Sequence, residues 1–236
     1  MGPDIVSASF LCGKSIADIR YLLQTHSHSD HFDPQVFTTR VPEYGGSNTP
    51  RLQVYASAKT LAKMAEMVRN EGYVDDFLGL PEQMKMNLEV NAVKAFDSLK
   101  IGNYEVTAFP ADHDRSVDPL LWAITENLFT LLYATDTDTI PEATWKGFHE
   151  KKLKFSLVAL DHTYGLDVDG SGHLNAERFV QQIQRMKSEH LLDRGARILA
   201  THISHEGNPP HAELSKHAAR FGYEIAYDGL VISKEY

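Results

Sequence analysis

Two periodicities alternate along the chain. Short apolar runs of strand character cover residues 20–24, 52–56, 104–109, 120–124, 128–134, 155–160, 198–201 and 225–227. Between them, apolar positions recur at helical spacing over residues 58–70, 141–149, 175–190 and 211–221. In the third of these, Phe179, Val180, Ile183 and Met186 fall on one stripe, and Asn175 precedes it as an N-cap. Such stripes are core faces, and strand runs alternating with them predict a layered α/β domain. The one loose stretch is residues 42–50, rich in turn formers. The sequence contains no internal repeat, low-complexity tract or long charge block.

Composition narrows the picture. A chain of 236 residues suits one domain with a sizeable core, taken as residues 1–236. The net charge of −9 argues against broad nucleic-acid binding, which needs a surplus of Lys and Arg. A single cysteine, Cys12, excludes an intrachain disulfide framework and a multi-cysteine zinc knuckle, and suits a reducing compartment. Met1 is followed by Gly-Pro-Asp rather than by a basic start and an apolar run, so no signal peptide is read. The most apolar stretch, residues 120–134, is interrupted by Thr125, Glu126 and Asn127 and is too short to span a bilayer. The expectation is a soluble, cytoplasmic protein. Histidine, with 12 copies, directs attention to metal chemistry.

Four strand-like runs end in residues able to bind a metal. The first leads into Thr25-His26-Ser27-His28-Ser29-Asp30-His31, the second into Asp112-His113, the third into Thr135-Asp136-Thr137-Asp138, and the fourth into Thr201-His202-Ile203-Ser204-His205. Loops at strand ends converge on one crevice while the sheet holds them rigidly. His26 and His28, two apart on an extended backbone, face the same side and can clasp one ion. Asp30 and His31 lie just beyond, where a turn redirects them toward a second. Neutral imidazoles with carboxylates suit zinc, manganese or ferrous iron. Asp138 competes with Asp136, and His205 with His202. Asp167-Val168-Asp169-Gly170-Ser171-Gly172 looks like the start of a calcium loop, but the twelfth position is Arg178 rather than a bidentate Glu, so a glycine-rich turn is expected.

The segment His26–His31 resembles the HxHxDH signature of the metallo-β-lactamase superfamily, and the later motifs follow in that family's order. The resemblance implies an αββα sandwich of two mixed sheets flanked by helices. It implies two divalent ions, zinc or manganese. His26, His28 and His113 would hold the first, Asp30, His31 and His202 the second, with Asp136 bridging. His205 would contact a substrate phosphate. The series from Thr135-Asp136-Thr137 through Leu160-Asp161-His162-Thr163, His173-Leu174-Asn175 and THISH to Tyr227-Asp228-Gly229 looks like the phosphoribosyl 1,2-cyclic phosphate phosphodiesterase family. Ribonuclease Z is a relative by fold, but Ile203-Ser204-His205-Glu206 lacks its aromatic and Arg-Tyr continuation, and no basic glycine-rich arm for transfer RNA is present. Some phosphodiesterases of this kind carry a cysteine-containing structural zinc site, which one cysteine cannot supply.

What the resemblance implies chemically is hydrolysis of a small, cyclic phosphodiester by a hydroxide shared between the ions. Asp30 would ligate and orient that hydroxide, and His173 would act as general acid toward the leaving alkoxide. Asp161, His162 and Asp228 are candidates for fixing imidazole tautomers. His149, His190, His211 and His217 fall on predicted helices and are read as solvent-facing. The alternatives are a ribonuclease Z-like endonuclease, another hydrolase of the fold such as a lactonase, or a metal-binding sensor without catalysis. Gly2-Pro3-Asp4 resembles the tail of a turn that normally follows several opening strands, so those strands are expected to be missing, leaving an unpaired sheet edge that offers a route to a homodimer. The expected partner is the small-molecule diester, with neither nucleic acid nor membrane.

Overall fold

The computed structural model describes residues 1–233 apart from Thr39, Ser47 and Tyr73. The described residues separate into two compact units: Met1–Lys94 with Ser116–Asp118 and Asp228 to Ser233, and Ala95–Arg115 with Pro119–Tyr227.

The first unit contains, in order, α1 (Ile5–Leu11), a 3-10 turn at Ile16–Asp18, β1 (Tyr21–Leu23), α2 (Gln35–Thr38), α3 (Pro42–Gly45), β2 (Leu52–Ala56), α4 (Ala58–Asn70), α5 (Leu80–Lys85) and β3 (Leu88–Ala92). Its three strands form an all-parallel sheet in the order β1-β2-β3. Parallel strands need crossover connections, and the long segments between them supply those. Leu52, Val54 and Ala56 alternate inward along central β2. Helix α4 starts at the cap of Ser57, whose hydroxyl accepts from Thr60 N, and buries Leu61, Met64, Ala65 and Val68. Together with Phe32, Phe37, Phe77, Met86 and Leu88 they form one continuous core.

The second unit contains β4 (Ser98–Ile101), β5 (Tyr104–Pro110), β6 (Leu120–Glu126), β7 (Phe129–Ala134), α6 (Glu142–Glu150), β8 (Phe155–Asp161), α7 (Ala176–Ser188), β9 (Leu192–Thr201), α8 (His211–Phe221) and β10 (Glu224–Ile225). They build a seven-stranded mixed sheet in the order β10-β9-β8-β7-β6-β5-β4. Strand β6 is antiparallel to both β5 and β7, and β7, β8 and β9 are mutually parallel. Hence β5, β7, β8 and β9 all run the same way, and their C-terminal ends share one edge of the sheet. The core joins Phe109, Trp145, Phe148, Phe155, Phe179, Ile183 and Met186. The α7 stripe is buried as its spacing predicts, and Asn175 caps that helix by accepting from Arg178 N.

The α/β class is borne out, with every predicted strand and helix present. The structure adds short elements that the pattern does not announce. Helix α1 reads Ile-Val-Ser-Ala-Ser-Phe-Leu, too apolar and β-branched for a helical signal, and α3 occupies part of the stretch expected to be loose, which also takes in Ser47, outside the described residues. Strand β9 begins at Leu192 rather than at 198, because Arg194, Gly195 and Arg197 hide its first half. Gly2, Pro3 and Asp4 lead into α1 rather than closing a turn after a strand, and β1 is an edge strand of its sheet. Gly2 lies so close to the backbone at Asp30 that an added Cβ would sit 2.1 Å from its carbonyl oxygen. Among the described residues no helix is long and apolar enough to cross a membrane.

Candidate metal centre

In the first unit, the donors follow directly from the end of β1. Gln24 N still pairs with Tyr55 O of β2, so the chain enters the motif extended, and residues 28–32 then turn, with His31 N and Phe32 N both donating to His28 O. The Gln24 side-chain amide donates to His26 O at 2.6 Å and His31 O at 3.0 Å, fixing both ends of the motif. His26 is fully buried, and its Nδ1 lies 3.1 Å from the Thr25 hydroxyl. The rings of His28 and His31 stand 4.5 and 4.3 Å from that of His26. His31 Nε2 is 3.1 Å from Asp30 Oδ2. The four expected donors of this segment are therefore neighbours.

In the second unit, the chemistry sits on the common edge of the sheet. His113 follows β5, Asp136 follows β7, Asp161 ends β8, and His202 follows β9 in a left-handed backbone conformation, φ 58°. The Asp136 carboxylate is buried between two imidazoles. Its Oδ2 lies 3.8 Å from His113 Nε2, and its Oδ1 lies 3.4 Å from His202 Nε2. Both rings are held by the other nitrogen. His113 Nδ1 donates to Gly172 O at 2.8 Å, and His202 Nδ1 meets the Thr163 hydroxyl at 2.7 Å. Fixing Nδ1 in this way presents Nε2 as the donor atom, the arrangement usual for metal-ligating histidines.

Asp161 organises this half. It is fully buried and accepts from Thr163 N and Oγ1, Leu174 N, Thr137 N and His173 Nδ1, the last at 2.7 Å. Ligand atoms of Asp136, Asp161, His173 and His202 lie within 4.8 Å of one another. With five donors on its two oxygens, Asp161 has its lone pairs committed and serves to orient His173 directly and His202 through Thr163. The His173 ring lies between those of His113, 4.7 Å away, and His202, on which it stacks at 5.5 Å.

The alternatives left by the sequence separate here. Both oxygens of Asp138 are engaged by Arg178 at 2.7 and 2.9 Å, and Oδ2 also accepts from Gly172 N, so Asp136 rather than Asp138 faces the histidines. His205 is exposed on the loop after β9. In the calcium-like loop, the Arg178 guanidinium binds Asp169 Oδ1 and Gly170 O, placing a cation of the chain's own there. His162 points into the core against Tyr223, Asp228 is exposed, and His217 is half-buried against Phe221 rather than solvent-facing. His190 lies just past the end of α7, and His149 pairs with Glu189. Sequence reasoning missed Thr163, Gly172 and Arg178. The twelfth position of the calcium-like loop was the signal for the last.

A family model described as "Beta-lactamase superfamily domain" matches residues 2–203. Exodeoxyribonuclease YycJ of Bacillus anthracis is 29% identical over 128 residues, which take in 54% of this chain and 40% of that protein. The chain thus matches well under half the length of this curated relative. A solved structure described as a new diphosphatase from the PhnP family superposes with a TM-score of 0.68 at 19% identity, covering 97% of this chain and 75% of that one. The short form of human tRNase Z gives 0.65 at 14% identity, covering 98% and 85%. At such identities these two likenesses speak to the fold.

Proposed function

The chain belongs to the β-lactamase superfamily, and from that premise we propose that it is a metal-dependent hydrolase, a binuclear phosphodiesterase acting on a small, cyclic phosphodiester. The observation that carries this reading is the Asp136 carboxylate, with one oxygen toward His113 Nε2 and the other toward His202 Nε2. A carboxylate so divided suits a bridge between two ions.

In this proposal His26, His28 and His113 hold one ion, Asp30, His31 and His202 the other, and Asp136 both. Imidazole and carboxylate donors fit zinc or manganese. When bound, such a pair lowers the pKa of water to near neutrality and offsets negative charge on phosphoryl oxygens. Asp30 orients the attacking water. His173, held at Nδ1 by Asp161, delivers a proton from Nε2 to the leaving alkoxide. His205 contacts the phosphate. The two units act as one hydrolase domain, in a reducing cytoplasm where the exposed Cys12 stays a free thiol, and edge strand β1 offers a surface for a homodimer.

A second reading, a nuclease, is favoured by the similarity to an exodeoxyribonuclease. The net charge of −9 weighs against it. The deciding experiment assays protein loaded with zinc or manganese on a ribose cyclic phosphodiester, bis-aryl phosphodiesters, single-stranded DNA and a precursor transfer RNA. Turnover of the small diesters, lost on chelation and in Asp136→Ala, is the expected result. Turnover of nucleic acid alone would establish the nuclease, and inactivity on every diester with two ions bound would establish a sensor.

A further inference from the structure

Arg178 lies outside the proposed ligand set, yet the hydrogen bonds behind His113 trace back to it through Gly172 and Asp138. Its backbone is fixed at the start of α7, where Arg178 N donates to the capping Asn175. From there its Nη1 donates to both oxygens of Asp138, while its Nη2 binds Asp169 Oδ1 and Gly170 O. Asp138 carries the link onward in two directions. Its Oδ2 accepts from Gly172 N at 3.2 Å, and the carbonyl of that same Gly172 receives His113 Nδ1 at 2.8 Å. Its backbone N donates at 2.7 Å to the carbonyl of Asp112, the residue before His113, while Asp112 N donates to Thr137 Oγ1.

Gly172 is suited to this position. Its φ of 86° is left-handed, and a Cβ there would lie 3.3 Å from His113 Nδ1, inside the space the ring's hydrogen bond needs. The next residue is His173. One guanidinium therefore ties down the loop between β8 and α7 at Asp169, Gly170 and, through Asp138, Gly172, and that loop bears both the acceptor for His113 and His173 itself.

We infer that Arg178, acting through Asp138, is a positioning residue that fixes the Nδ1–H tautomer and seat of His113 and holds the loop carrying His173. The inference rests on the proposed roles of those histidines, but its first readout does not need a metal. A lysine has one nitrogen and cannot replace a guanidinium that gives Nη1 to Asp138 and Nη2 to Asp169 and Gly170.

The test uses the full chain, metal-free and 15N-labelled, with long-range 1H–15N imidazole spectra, followed by zinc titration against a chromophoric chelator. The parent protein should show His113 as a single tautomer protonated at Nδ1. Arg178→Ala, Arg178→Lys and Asp138→Ala should show mixed tautomers. They should lose about 10–100-fold in affinity for the ion bound by His113, with the other ion little changed. Asp138→Asn keeps an acceptor for Gly172 N and should fall between. Thermal unfolding checks that each variant is folded, and Arg178→Lys carries the test should Arg178→Ala fail to fold. Variants with one unchanged His113 tautomer and parental zinc affinity would overturn the inference while leaving the metal centre standing. A parent that binds no zinc, with variants that still change the tautomer, would overturn the proposed function and leave the positioning role intact.

Discussion

Asp161 Oδ2 lies 2.7 Å from His173 Nδ1, and the same carboxylate receives the Thr163 hydroxyl that meets His202 Nδ1. One buried anion thus determines which nitrogen of two imidazoles faces the site. It is a costly group to bury, and five donors offset that cost. Replacing it by Asn turns one acceptor into an NH2 donor that opposes either His173 Nδ1–H and Thr137 N–H, at the Oδ2 position, or the Thr163 and Leu174 donors, at the Oδ1 position. Asp161→Asn should lower kcat on an unactivated diester by about 10²–10⁴-fold while zinc stoichiometry, read by elemental analysis, stays at two. Retention of full activity would remove Asp161 from the orienting role.

His173 is tested by the leaving group. A proton donor matters when the departing alkoxide is basic and matters little when it is a nitrophenolate. His173→Ala should therefore slow an alkyl or ribose diester by about 10²–10⁴-fold and a bis-aryl diester far less. Equal loss on both substrates would show that His173 holds the site together instead of supplying a proton.

His162 gives a pH dependence of stability. Burial lowers its pKa below the ordinary 6.5, with Nε2 3.1 Å from the Tyr223 hydroxyl, whose own pKa burial pushes up to about 12. Since the folded state disfavours the charged ring, the unfolded chain binds the extra proton between the two pKa values. Stability is then complete above about 6.5 and falls as the pH drops from there toward the folded value. Urea midpoints measured across that range should decline in the parent, and the decline should be shallower in His162→Asn, whatever that variant's absolute stability.

Phe148 tests the core beneath the sheet. It is fully buried, 4.8 Å from the ring of Phe109 and 5.0 Å from that of Phe155. Phe148→Ala should cost about 3–5 kcal/mol, seen as a lower denaturation midpoint with an unchanged slope. A loss below about 1 kcal/mol would mean that neighbouring rings collapse into the gap.

Much of this was legible in the sequence because the strands bearing site residues are apolar runs with a sharp polar ending. Tyr133-Ala134 giving way to Thr135-Asp136 marks both a strand end and a donor, and Ala200-Thr201-His202 does the same. The α7 stripe and its Asn175 cap were equally plain. Two strands stayed hidden: β3, where Leu88, Val90 and Ala92 alternate with Glu89 and Asn91 and so form no continuous apolar run, and β4, only four residues long. The groups that orient the histidines were also hidden. Thr163 and Gly172 act through a hydroxyl and a carbonyl, which every chain has in abundance, and only their distances single them out.

The common direction of β5, β7, β8 and β9 has a consequence for how such a protein can change. His113, Asp136, Asp161 and His202 each hang from a separate strand terminus, so an insertion farther along one loop, beyond the hydrogen bonds that join it to its neighbours, leaves these four positions where they are. Substrate preference can then drift through insertions after a single strand, while the carboxylate and imidazoles rooted in the remaining termini keep their places.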